Sequence, residues 1–299
     1  MAQGEAAWTA GAPGRRVPAT VLVLASIASV QAGAAVAKGL FDQLGSGGAV
    51  FLRAAGGAVV LLAIWRPRLG GRSRREWALV AAFAVAQAAM GLAFYAAIDR
   101  IPLAVAVAIE FTGPFSVAVF GSRRVLDLLW VGMAAAGVLL LTGGFGGVPG
   151  ASIDPVGILL AFVAGGFWAG YIVLSQRLGQ IVPGGGGLAL SVALSALLLA
   201  PVGIVEAGGA LLDWRLLLTG AAVGVLASVL PYSLELEALR CLPARVFGVL
   251  MSLEPGAAAL AGLVILGETL VGRELAGIAF VVLASAGATR FGGSGTTAA

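Results

Sequence analysis

Histidine is absent from this 299-residue chain, and cysteine occurs once, as Cys241. The first absence excludes Ser-His triads, imidazole ligation of zinc or haem, and a histidine proton relay. The second excludes a disulfide framework and thiolate-held metal clusters, so neither a metal nor a cofactor is expected. Charge is scarce too, at 11% of residues, against about 25% in an ordinary soluble chain. That is too little to coat a globule. Lysine is nearly missing: of 18 basic residues only Lys38 is lysine, which together with the Ala and Gly richness suggests a GC-rich bacterial genome. What the chain does have is 60% hydrophobic residues, 46 glycines and a mean hydropathy of +1.04. Glycine at that level is roughly twice its usual ~7% share and is commoner in membrane helices than in soluble ones.

A membrane span needs about 20 mostly apolar residues to cross a core of about 30 Å. Ten such runs follow one another, roughly 17–38, 47–65, 77–98, 103–121, 125–143, 155–176, 187–206, 215–236, 244–266 and 273–290. They occupy most of the chain and leave no room for a soluble domain; the Pro/Gly-rich connectors 143–155 and 183–187 read as turns. The expected class is therefore an all-α membrane protein. In the first run, Arg15 and Arg16 precede an apolar stretch and Ala32-Gly33-Ala34, the pattern of a cleaved secretory signal. An uncleaved span is the preferred reading, because the stretch has a counterpart later in the chain.

Lys and Arg collect in cytoplasmic loops. With the N-terminus inside, thirteen of the 18 basic residues fall on one side, and Lys38, Arg100, Arg215 and Arg273 fall on the other beside seven of the 14 acids. Both termini are thus expected in the cytoplasm. The net charge of +4 reflects topological anchors, and no nucleic-acid partner is expected.

Ile98-Asp99-Arg100-Ile101-Pro102 returns as Leu239-Arg240-Cys241-Leu242-Pro243, 141 residues later. The same offset relates Pro114 to Pro255, Gly121 to Gly262 and Asp127 to Glu268, while Ala32-Gly33 matches Ala169-Gly170 at 137. In each half twelve residues separate the paired prolines. Each half then holds five spans, an odd number, so the second half must enter the membrane from the opposite face. Two inverted five-helix repeats are expected, at 17–145 and 155–290, between cytoplasmic tails at 1–16 and 291–299. Such an architecture lets two bundles rock about a central site.

Several polar groups stand where lipid would reject them. Glu110 lies eight residues past Pro102 and Glu254 eleven past Pro243, about 12 and 16 Å deep at 1.5 Å per residue. A charge at the bilayer centre costs about 2.5–3.5 kcal/mol on insertion scales, which makes both glutamates functional candidates; a structural, hydrogen-bonded glutamate is the competing reading. Pro114 cannot donate to the carbonyl of Glu110, nor Pro255 to that of Met251. Both halves therefore free a carbonyl at the same point, which membrane proteins tolerate where other helices or a wet cavity satisfy it; a plain packing kink would do the same. Pro231 is a third expected helix break, in span 8. Arg53, six residues into its run, either snorkels to the interface or points inward as a planar fork for a carboxylate. Gln31, Gln87, Tyr95, Trp168 and Tyr171 read as cavity-lining candidates, with Tyr95 equally suited to an interfacial belt and Trp168 to packing. Tyr232 and Glu235 follow Pro231, and Glu235 faces either loop or cavity. Gly166/Gly170 and Gly220/Gly224 are small-residue pairs for close helix packing; a homodimer is compatible with them but not required.

Glu-Phe-Thr-Gly-Pro (110–114) followed by Ser-Arg-Arg (122–124), with Leu-Pro-Tyr-Ser-Leu-Glu (230–235) followed by Met-Ser-Leu-Glu-Pro (251–255), resembles the RhtA-type threonine/homoserine exporters. These belong to the EamA branch of the drug/metabolite transporter superfamily. The likeness runs over essentially all ten spans. It implies a bacterial inner-membrane exporter of small amino acids built from two EamA repeats and driven by proton exchange. The second acid of span 8, Glu237, and the Gly-rich loops at 143–151 and 183–187 depart from the pattern. On this reading the partners are a small amino acid, protons and membrane lipid. Arg53 would hold the substrate carboxylate, Glu110, Trp168 and Tyr171 its ammonium, and Glu254 or Glu110 would carry the proton. An exporter of the same fold with another cargo (a drug, purine or sugar-linked metabolite) is the first rival. A lipid-modifying membrane enzyme and a non-transporting scaffold are weaker ones: the chain has no catalytic cluster, and a scaffold leaves the midplane acids unexplained.

Overall fold

A computed structural model describes residues 18–120, 126–142, 154–181, 185–242 and 244–291. The tails, the Ser-Arg-Arg run at 122–124, the loop at 143–151 and Pro243 lie outside the described residues. Thirteen α-helices follow in order. They are α1 Ala19–Lys38, α2 Phe41–Trp65, α3 Arg74–Ile98, α4 Leu103–Glu110, α5 Thr112–Phe120, α6 Leu126–Thr142 and α7 Pro155–Ile181. Then come α8 Gly186–Ala207, α9 Trp214–Gly224, α10 Leu230–Cys241, α11 Ala244–Met251, α12 Glu254–Ala261 and α13 Gly272–Phe291. A π-helical turn, Val225–Val229, joins α9 to α10, and a second, Gly262–Leu266, extends α12. Among the described residues there is no strand.

Among the described residues eight helical stretches are long and apolar enough to cross a membrane. Two further apolar stretches, Leu103–Val117 and Leu128–Leu141, are shorter, where full-length spans at 103–121 and 125–143 are expected from sequence. In span 4 the helix breaks at Phe111, between α4 and α5. Span 8 bends differently from expectation: Pro231 sits in the first turn of α10, where its missing N–H costs little, and the irregular turn lies just before it at Val225–Val229.

Local chemistry sets several boundaries. α3 starts three residues before the expected 77, because Ser73 and Glu76 form a reciprocal capping box: the Glu76 N–H donates to Ser73 Oγ at 3.2 Å and the Ser73 N–H to Glu76 Oε2 at 2.6 Å. α2 starts at Phe41 and bends at Gly45 (φ 68°), a left-handed conformation suited to glycine. The N–H of Gly47, released by the bend, donates to Glu206 Oε2 at 2.7 Å. At the head of α7 the Val156 N–H donates to Asp154 at 2.8 Å and Arg100 pairs with it at 3.1 Å; these contacts, the backbone one foremost, hold the Asp154 carboxyl below its ordinary range.

The centre of the molecule is α4, whose eight residues are all buried. A helix apolar on every side belongs inside a bundle, and α4 lies against α7, α12 and α13. Around it α2 packs on α8, α3 on α7, α6 on α13, and α1 on α10. Close approach is bought by small residues, though not all those expected. Gly220 and Gly224 do face α2: a Cβ on Gly224 would stand 2.5 Å from the Arg53 carbonyl oxygen. Gly166 and Gly170 face open space, which corrects the expectation for that pair. The close contact is made by Gly165, where a Cβ would come within 2.7 Å of the Glu110 carbonyl oxygen. One residue rotates a helix face by about 100°, enough to exchange a helix neighbour for lipid.

Candidate functional site

The broken helices shape the site. α4 ends on Glu110, and Thr112 folds its hydroxyl back onto the Ile109 carbonyl at 2.6 Å. α11 ends on Met251, Ser252 donates to the Gly248 carbonyl at 3.1 Å, and Glu254 opens α12. Both glutamates are almost wholly buried, at 7% and 5% exposure. Their side chains nevertheless line one hollow, a cavity of about 500 Å³ between α1–α5, α7 and α10–α13. That volume lies in the usual range for small-molecule sites, roughly 300–1,000 Å³.

The cavity gathers most of the residues singled out in the sequence. Arg53, Gln31, Trp168, Tyr171, Tyr232 and Glu235 line it together with the two glutamates, as do Pro114 and Pro231. Pro255 is buried behind Glu254 and does not line the wall. The Arg53 guanidinium lies 5.5 Å from the centre of the Tyr95 ring, a cation–π distance, and reaches the Ala227 carbonyl at 3.5 Å. No carboxylate pairs with it among the described residues, and the ion pairs Lys38–Glu268 and Arg100–Asp154 lie outside the cavity. Glu235 accepts a hydrogen bond from Ser26 at 2.6 Å, tying α10 to α1. Glu110 and Glu254 have no hydrogen-bond or ion-pair partner in the described protein.

Two candidates are placed differently. Tyr95 is completely buried and does not line the cavity; it sits behind Arg53, with Phe41 and Phe94 against its ring. It thus supports the guanidinium instead of lining the wall or an interfacial belt. Gln87 lines a small annex of about 60 Å³, which shares Arg53, Met90, Gly91, Tyr171 and Tyr232 with the main cavity. Tyr171 and Tyr232 join hydroxyl to hydroxyl across the shared wall, with Tyr171 stacked on Phe83 at 4.7 Å. Trp168 meets Phe111 edge-on at 5.5 Å.

Sequence reasoning missed most of the apolar part of the wall, notably Met90, Phe94 and Phe247, and the annex serines Ser195 and Ser228. In helices apolar on every side nothing marks such a residue as facing a hollow instead of lipid. Phe111 and Met251 did have a signal, their places inside Glu-Phe-Thr-Gly-Pro and Met-Ser-Leu-Glu-Pro.

The profile of the EamA-like transporter family matches residues 155–290. Over 273 residues, 91% of either chain, this sequence is 40% identical to the threonine/homoserine exporter RhtA of Salmonella typhimurium (strain SL1344). It is also 40% identical over 269 residues, 90% of either chain, to the protein of that name in Escherichia coli (strain K12). A solved crystal structure with 20% sequence identity superposes with a TM-score of 0.60 over 92% of this chain and 97% of the other, a likeness of fold alone. With its apolar helices, its buried acid-lined cavity and relatives of this closeness, the chain is a multi-pass membrane protein that belongs to the EamA-like transporter family.

Proposed function

We propose that this protein exports small amino acids of the threonine/homoserine kind across the bacterial cytoplasmic membrane, by proton-coupled alternating access about the central cavity. The observation that carries the reading is the set of ionisable groups lining one cavity: Glu110, Glu235 and Glu254 with the guanidinium of Arg53, none of them ion-paired among the described residues. Intramembrane charge is costly and is kept where it does work. Arg53 takes the substrate carboxylate in two-point contact, Glu110 with Trp168 and Tyr171 takes the ammonium, and Glu254 or Glu110 exchanges the proton.

Ten spans in two inverted repeats, 17–145 and 155–290, complete the proposal, with the tails in the cytoplasm. In support, α4 and α11 are both eight residues long and start 141 residues apart, matching the sequence offset. Helix pairings also exchange between halves: α3 on α7 has its counterpart in α10 on α1, and α2 on α9 in α8 on α3.

The test uses purified protein in liposomes loaded with labelled threonine under an imposed pH gradient. Glu110→Gln and Glu254→Gln are each expected to abolish gradient-driven movement; full proton-coupled transport by both variants overturns the proposal. The size of the cavity favours one second reading, a bulkier metabolite as cargo. Thermal stabilisation measured across the twenty amino acids separates the two, since a bulkier cargo predicts no stabilisation by threonine or homoserine.

A further inference from the structure

The annex beside the main cavity holds buried side-chain oxygens that have no hydrogen-bond partner among the described residues. Ser195 and Ser228 are 4% and 8% exposed, and neither hydroxyl makes a hydrogen bond among the described residues. Elsewhere in this bundle helical hydroxyls fold back on their own backbone: Ser191 onto Leu188, Ser233 onto Val229 and Thr289 onto Ser285, the ordinary refuge of serine and threonine in an apolar helix. Ser195 and Ser228 instead line the hollow. Gln87 adds a buried carbonyl oxygen without a donor. Arg53 stands where annex and main cavity meet. Buried polar groups are nearly always satisfied, so this cluster is built for an occupant that both donates and accepts.

We infer that the annex reads the hydroxyl of a short amino-acid side chain, with Ser195, Ser228 and Gln87 as the specificity-determining groups. The inference rests on the function proposed above and names how that site selects its substrate. With the carboxylate on Arg53, the side chain enters the annex. Its O–H donates to Gln87 Oε1 and accepts from a serine hydroxyl, while a methyl group would meet Val192 and Leu199. The annex volume, about 60 Å³, admits a side chain of two or three heavy atoms in place of a few waters. An isostere lacking the hydroxyl leaves these groups unpaired, the arrangement from which binding sites draw their strongest discrimination.

The experiment compares threonine with 2-aminobutyrate, its deoxy analogue, in counterflow by the full-length protein in liposomes. The wild type is expected to favour threonine at least about tenfold in kcat/KM. The Ser195→Ala/Ser228→Ala variant is expected to bring that ratio close to one while still carrying 2-aminobutyrate, and each single variant to fall between. A wild-type ratio in the double variant, or in both single variants should the double one be inactive, overturns the inference. So does equal transport of the two amino acids by the wild type, which leaves the exporter reading standing. Failure of the wild type to move any amino acid overturns both.

Discussion

Arg53 shows how one residue can be ambiguous in sequence and decided in space. Counted from the expected start of its span, it lies close enough to the interface to snorkel. α2 in fact begins at Phe41, twelve residues before Arg53 or about 18 Å along the axis, and the guanidinium turns inward over Tyr95. Among the described residues it is the one cation on the cavity wall. Arg53→Ala is expected to raise the KM for threonine in liposome counterflow by about a hundredfold, on the scale of a lost buried charge contact. Arg53→Lys keeps the charge without the planar fork and should raise it about tenfold. An unchanged KM in Arg53→Ala excludes a carboxylate contact at this position.

At the scale of the helix, the contact between α7 and the end of α4 supplies a paired prediction. A methyl group on Gly165 would meet the Glu110 carbonyl, whereas one on Gly166 meets nothing within 4 Å. Gly165→Ala should therefore destabilise by about 1–3 kcal/mol through overpacking, and Gly166→Ala by less than about 0.5 kcal/mol, read as thermal unfolding in detergent. Glu268 makes a second link between elements: one oxygen accepts from the Leu103 N–H at 2.9 Å, capping α4, and the other pairs with Lys38 at 2.6 Å. Glu268→Ala is expected to lower stability by about 1–2 kcal/mol, as a lost N-cap does; no change in the unfolding midpoint would mean the cap is dispensable. The breaks at Pro114 and Pro255 were legible because proline removes a specific donor. The facing of Gly165 was not, since adjacent glycines in one run look alike until a neighbour arrives.

Across the whole molecule the cavity is asymmetric. It reaches Phe247 and Thr289, near the start of α11 and the end of α13, whereas Lys38, Glu268 and the head of α4 meet at the opposite ends of these helices. The alternating access proposed above requires the Lys38–Glu268 contact to part when the far side opens. In a Cys241→Ser background, needed because Cys241 is an exposed thiol, Thr289→Cys is expected to react with a membrane-impermeant thiol reagent at least about tenfold faster in inside-out vesicles than in right-side-out ones. Saturating threonine should narrow the difference as it shifts the population between states. Equal labelling from both sides would show that the cavity is not closed on the Lys38 side.

The membrane class, the approximate helix positions and the two helix breaks were readable along the chain, because each follows from a local rule: lipid demands long apolar runs, and proline lacks an N–H. Charge in those runs was visible for the same reason. Only the tertiary structure decided which of these groups share a hollow. It brought Arg53, Glu110, Glu235 and Glu254 together, set Tyr95 behind the guanidinium, and left Ser195 and Ser228 facing an annex. Facing depends on rotation about each helix axis, and a helix apolar on every side carries no stripe from which that rotation can be read.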